Sequence, residues 1–320
     1  MRAFISMLAL AGSCLSTLPA LGQTVSDRIT GLPREEIHVK EWPGGKKVAV
    51  CFVLYVEVWG YAHGPNFRPD MAGRSPDLVD EAFREYAIDW GVPRVGRLFK
   101  EMKAPLSIAL NAQFLEQRPE IWKEFRASVP EAPIVAHGIN NSTDQLPLDK
   151  GPEAQRAYIK RTLDAIEKGV GVRPVGWSSP SVYNNADTFA ATAAEGIRYT
   201  LDGMDSDRLS RLATKPQPLV LLPYPPTVVD MGQFLSRNKE ASDLERLWID
   251  YVVELAREAA ADPGREATVV AIGIHPFVMG TPAGAAAMRR VLDTLKKQDL
   301  VWVADVQAVV RASGQQLPDR

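Results

Sequence analysis

The chain has 320 residues, with 37 Lys or Arg against 39 Asp or Glu and a formal net charge of −2. So even a balance, with no basic stripe, excludes nucleic acid as an expected partner, and the length suits one large core of the size at which α/β barrels fold as a single domain. The two cysteines are Cys14 and Cys51. Losing a leader that holds Cys14 would leave no disulfide, so the core alone must stabilise the fold, and Cys51, inside an apolar run, reads as a small buried hydrophobe. In chain order, Arg2, an apolar run from Ala3 to Leu18, Pro19 and the small-residue end Ala20-Leu21-Gly22 predict a secretory signal over residues 1–22. The run is shorter than the ~20 apolar residues of a membrane span. The expectation is an exported protein, periplasmic or secreted, with no membrane attachment after cleavage.

Residues 23–44 are polar and mixed and read as an irregular N-terminal arm. Strands and helices then alternate. Lys47 to Glu57 is a β-branched strand, Pro93 to Met102 a helix opened by proline, Leu106 to Leu110 a strand and Pro119 to Ser128 a second proline-started helix. Ile134 to Ala136 is a strand, Pro152 to Lys168 a long amphipathic helix stopped at Gly169, and Val175 to Trp177 a short strand. Helix Thr188 to Glu195, strands Arg198 to Leu201 and Leu219 to Leu222, and a helix from Ser242, as its cap, to Ala261 come next. Strand Thr268 to Ile274, helix Ala283 to Lys297, strand Leu300 to Val303 and a terminal helix close the series. Apolar strands alternating with amphipathic helices predict a parallel sheet covered by helices. About seven or eight such units suit a closed or nearly closed barrel over residues 45–312, with 313–320 as a tail, better than an open sheet. No glycine-rich phosphate loop follows a strand, which disfavours a dinucleotide fold.

The informative pattern is what ends each strand. Glu57 ends the first and Asn111 the second. His137 ends the third, with Asn140, Asn141 and Ser142 behind it. Ser178 and Ser179 end the fourth, Asp202 the fifth, and His275 the long late strand. In parallel barrels the C-terminal strand ends converge on one face and carry the active site. Buried charges there need pairing, hydration or a metal. Glu57 also reads as a rim ion pair, the two histidines as satisfied core groups, and Asp202 as a loop cap. His63 is a pocket or loop residue and His38 a solvated one. Trp59, Tyr61, Trp177, Tyr183 and Phe277 beside the tips could wall a sugar or simply fill the core.

Several stretches, in order, resemble the polysaccharide deacetylase (NodB-homology) superfamily, in the branch of peptidoglycan-deacetylase-like and allantoinase-like proteins. They are VAVCFVLYVE at Val48 to Glu57, WGVPRVGRLF within Tyr86 to Asn111, VAHGINNS at Val135 to Ser142, YIKRTLDAIEKGVGVRPVGWSSP at Tyr158 to Pro180, LVLLPYP at Leu219 to Pro225 and IGIHPFVMG at Ile272 to Gly280. The resemblance implies an α/β fold, a distorted (β/α) barrel of about seven parallel strands, and a hydrolase of a non-peptide C–N bond. Carried onto this chain, it puts a metal-position carboxylate at Glu57, the base position at Tyr55, metal histidine positions at His137 and Asn141, and the acid at His275. Tyr55 and Asn141 depart from the pattern, and catalytic zinc normally takes three strong protein ligands. The expectation is therefore a hydrolase without a resident cofactor, zinc being the alternative on Glu57, His137 and Asn141. Glu57 would hold or deprotonate water and His275 would protonate the departing nitrogen. His137 and Asn141 would position the water or donate to the oxyanion. Tyr55, Trp59, Asn140, Ser142, Ser178, Ser179, Asp202 and Phe277 would contact a small-molecule or carbohydrate substrate. A zinc-dependent sugar N-deacetylase and a non-catalytic carbohydrate-binding member are the competing readings. The sequence carries no signal for oligomeric state.

Overall fold

The computed structural model describes residues 25–68 and 73–318. The signal predicted at residues 1–22 lies outside them. Among the described residues no helix is long and apolar enough to cross a membrane.

The strands are β1 (Arg34–Glu36), β2 (Val48–Val56), β3 (Ser107–Leu110), β4 (Ile134–Ala136), β5 (Gly176–Trp177), β6 (Tyr199–Gly203), β7 (Ser210–Leu212), β8 (Leu219–Pro223), β9 (Thr268–Ile274) and β10 (Val301–Val303). A parallel path runs β9–β2–β3–β4–β5–β6–β8. β2 is the hub. Its Lys47 side accepts from the Thr268 N–H, while the Val50 and Val56 carbonyls accept from Ala304 and Asn111 on the opposite edge. β10 and β3 thus share one edge of β2 end to end, and β9 takes the other from Val48 to Leu54. The barrel has a seam, because the second edge of β8 is occupied by antiparallel β7, which in turn pairs with β1. Main-chain bonds from Val269 to Asp207 and from Ala267 to Val39 bridge that seam to β9. This is the largely parallel architecture expected from the alternation, distorted as the resemblance implies.

The segment 23–44 is not irregular where it is described. It holds a helix, Val25–Thr30, and β1, and it buries Ile37, Val39 and Trp42. The Trp42 indole N–H donates to the Thr268 carbonyl at 2.7 Å. Three apolar positions spread among charged ones are too few to announce an edge strand; its pairing with β7 makes one. The helix expected at Ser242 runs Ala241–Ala261 and is capped by Glu240, boxed with Asp243. The long helix continues to Val170 and stops at Gly171, in the left-handed region at φ 85°. Helices Leu78–Tyr86, Ala112–Gln117 and Asp230–Arg237 were not expected.

Two cores follow from the two-residue strand period. On β2, Val48, Val50, Phe52, Leu54 and Val56 pack outward under the helices, whereas Ala49, Cys51, Val53 and Tyr55 fill the barrel interior. Ala109, Val135, Leu201, Leu222 and Ala271 join that interior from the other strands. Burial pushes the Cys51 thiol well up, as befits a core residue. Two glycines make room inside: a Cβ on Gly176 would come within 2.3 Å of the Tyr199 ring, and one on Gly273 within 2.3 Å of the Tyr224 hydroxyl. The interior is filled by those rings and closed below the C-terminal strand ends.

Candidate active site

Continuing the inward parity one step past each strand gives the site. After Tyr55 comes Glu57, after Ala109 comes Asn111, after Val135 comes His137, after Gly176 comes Ser178, and after Gly273 comes His275. A cavity of about 350 Å³ opens on this floor, lined by Tyr55, Glu57, Trp59, His137, Asn141, Ser178, Ser179 and His275 among others.

Glu57 and both histidines are almost fully buried, at 5 %, 2 % and 3 % exposure. Glu57 Oε1 lies 3.0 Å from His137 Nε2 and accepts from the Asn141 amide. His137 Nδ1–H donates to the Ser178 carbonyl at 2.8 Å, so both ring nitrogens face oxygen acceptors. Glu57 Oε2 is buried without a protein hydrogen bond, and His275 Nε2 stands 3.7 Å from it. Asp230, at the start of helix Asp230–Arg237, holds His275 twice: Oδ1 meets Nδ1 and Oδ2 accepts the backbone N–H, both at 2.6 Å. Tyr55 lies between the histidines, its ring stacked on His275 at 4.9 Å and edge-on to His137 at 4.9 Å, its hydroxyl 3.1 Å from Ser178 Oγ.

These surroundings separate the two titrating groups. Burial pushes the Glu57 carboxyl up, but the His275 charge, the His137 contact and the Asn141 bond outweigh it and leave the group below the ordinary 4.5. Burial pushes His275 down, but Asp230 and Glu57 outweigh it and leave the imidazole above the ordinary 6.5. The carboxylate of Glu57 and the imidazole of His275 thus face each other with their titrations pushed apart, Glu57 toward the ionised form and His275 toward the protonated one. Burial pushes the Tyr55 hydroxyl far up, so it stays protonated and is no substitute for a carboxylate base.

The residues do not fit a three-ligand zinc centre. The Val58 N–H, an unambiguous donor, bonds Asn111 Oδ1 at 3.0 Å. The Asn111 amide nitrogen then donates to the His137 carbonyl and, at 3.1 Å, to Asn141 Oδ1. That orients the Asn141 NH₂, not its oxygen, toward Glu57, leaving Glu57 and His137 alone as strong ligands. Among the described residues, the group of three acidic or histidine side chains spaced for a metal is Glu36, His38 and Glu266. It sits before the start of β9, at the far end of the barrel from His275, and Arg208 bonds both of its carboxylates.

Four expected contacts do not line the cavity. Asn140 Oδ1 accepts from the N–H groups of Ser142, Thr143 and Asp144, folding the loop after β4. Ser142 Oγ accepts from the Gly60 N–H and ties that loop to the one after β2. Asp202 faces the other way by parity and accepts from Ser179 and Thr200. Phe277 packs behind the site against His275, Trp59 and Phe67. Trp177 is likewise in the outer core, while His63, Tyr61 and Tyr183 are exposed. The sequence reading missed Asp230, Tyr224 and the Met231/Leu235 face. The inward parity of β8 points to Tyr224, and an aspartate opening an i, i+4 apolar pair signals a short helix.

No protein-family model matches the chain. Over 317 residues it is 23 % identical to a Schizosaccharomyces pombe protein that carries the name of a polysaccharide deacetylase, covering 89 % of this chain and 95 % of that one. It superposes with a TM-score of 0.75 on a Pseudomonas aeruginosa PAO1 structure, also named as a polysaccharide deacetylase, at 23 % identity with 88 % and 96 % of the two chains covered. This chain has the polysaccharide deacetylase fold. The Puue allantoinase shares it, with the same TM-score, identity and coverage. The resemblance read from the ordered stretches is thus met by the relatives' names and by a common deacetylase-fold frame.

Proposed function

We propose that the protein hydrolyses a C–N amide bond outside the peptide class, with Glu57 as base and His275 as acid. The observation that carries this is the pairing of Glu57 Oε2, which has no hydrogen bond among the described residues, with an Asp230-held His275 across the cavity floor. Glu57 Oε2 takes a proton from water as the water oxygen bonds to the carbonyl carbon. The C–N bond then breaks as His275 Nε2 passes its proton to the nitrogen, giving a carboxylic acid and an amine. Transfer of the proton from Glu57 to His275 restores both groups. His137 and Asn141 hold Oε1, so that Oε2 keeps one orientation. Relatives named as deacetylase and allantoinase support the reaction class. Positioned acid–base groups contribute typically ~10²–10⁴-fold each. Glu57→Gln and His275→Ala should each lower kcat on the cognate amide by about that factor while the circular dichroism spectrum is retained; near-normal rates in both would refute the assignment.

The reading takes no resident zinc, because Asn141 is turned as a donor to Glu57. Dialysis against a chelator should leave the rate unchanged, whereas a loss restored by zinc would favour a zinc-dependent sugar N-deacetylase. Export belongs to the same proposal, and a native mature chain beginning at Gln23 would support it.

A further inference from the structure

We infer that the substrate is a small uncharged amide whose nitrogen carries an apolar substituent, rather than a free sugar chain; this rests on the hydrolase reading above. The cavity has two chemically different parts. Its floor holds Glu57, His137, Asn141 and His275, while the rest of its lining is mainly apolar, from Val182, Met204, Pro226, Val229, Met231 and Leu235, with Ser181 and Ser236 among them. No lysine or arginine lines it among the described residues, and His275 already faces the Glu57 carboxylate, so the lining offers no further cation to an anionic substrate.

The position of the apolar wall sets which side of the amide it serves. Met231 and Leu235 lie one turn apart on the helix whose first residue, Asp230, bonds His275. Asp230, which holds the acid, and the wall residues Met231 and Leu235 therefore share one helix, and the group His275 protonates, the departing nitrogen, leaves along that wall. Sugar hydroxyls placed there would meet mainly methyl, thioether and methylene groups, and beyond what Ser181 and Ser236 could bond they would lose their water without a replacement. The Tyr224 hydroxyl does not serve them, since it points down over Gly273. Val182 adds a second observation. It is held at φ 58°, and Ser181 before it at φ 54°, a left-handed backbone that β-branched residues rarely adopt, and this keeps an apolar side chain in the cavity lining.

The test compares acetamide, N-ethylacetamide, N-butylacetamide, N-acetylglucosamine and di-N-acetylchitobiose, read both as kcat/KM and as affinity by calorimetry. The expected result is a rise of about fourfold per buried methylene along the alkyl series, with both sugars below N-butylacetamide. In Met231→Gln and Leu235→Asn the ratio of N-butylacetamide to acetamide should fall toward one. A flat alkyl series, or sugars ahead of N-butylacetamide, would overturn the inference and leave the hydrolase reading standing if any amide is turned over. Affinity rising along the alkyl series with no turnover would sink the hydrolase reading and keep the ligand class. Neither binding nor turnover across the panel would overturn both.

Discussion

Asp230 is the residue on which the pH behaviour turns. Through two short bonds it holds the histidine's ring and backbone, and with Glu57 it outweighs burial and raises the imidazole from its ordinary 6.5. Activity needs Glu57 ionised and His275 protonated. The acid limb of a kcat/KM profile should therefore lie below 4.5 and the alkaline limb above 6.5, since Glu57 is lowered and His275 raised. Asp230→Asn removes the larger of the two charges that raise His275, so the alkaline limb should move down toward 6.5. A profile unchanged in that variant would show that another group sets the limb. Asn111 plays a comparable part for geometry: without it, the orientation of the Asn141 amide is no longer dictated by the Val58 N–H.

At the scale of elements, parity along a strand decides what a residue can do. Glu57, His137 and His275 were legible because each follows an apolar strand directly, and the inward register of β2, β4 and β9 then turns all three to one floor. Asp202 was misread because its strand, β6, has the opposite phase at that position: Tyr199 and Leu201 face in, so Asp202 faces out. A strand's phase is set by its partners, and a single sequence does not display them. Phe277 and Asn140 failed for a different reason, since they fall after the strand end, where the backbone has already turned. The glycines in β5 and β9 show the same dependence on neighbours. Gly176→Ala and Gly273→Ala should each destabilise the fold by ~1–3 kcal/mol through overpacking against Tyr199 and Tyr224, measured by urea denaturation; a neutral result would mean the rings have space to move.

For the molecule as a whole, stability should grade from the hub outward. β2 is buried at all nine positions and paired on both edges. β1 is a three-residue edge strand with two exposed positions. Amide hydrogen exchange should accordingly be slowest in β2 and β9 and fastest in β1 and the Val25–Thr30 helix. Equal protection in β1 and β2 would contradict this. The floor of the cavity is built on the slow strands, while its apolar wall stands on the short helix Asp230–Arg237 and the loops after β6 and β8. Catalytic geometry and substrate choice are thus carried by different parts of the fold.

The sequence by itself determined the alternation of strands and helices, the parallel barrel and the polar residues at its strand ends, because these follow from local periodicity and from where an apolar run stops. Only the tertiary structure decided that Asp230 joins His275 across 45 positions, that Asn141 turns a donor toward Glu57, and that the wall above them is apolar. Each of these depends on the register and phase of strands distant in the chain, quantities set by hydrogen-bonded partners rather than by neighbours in sequence.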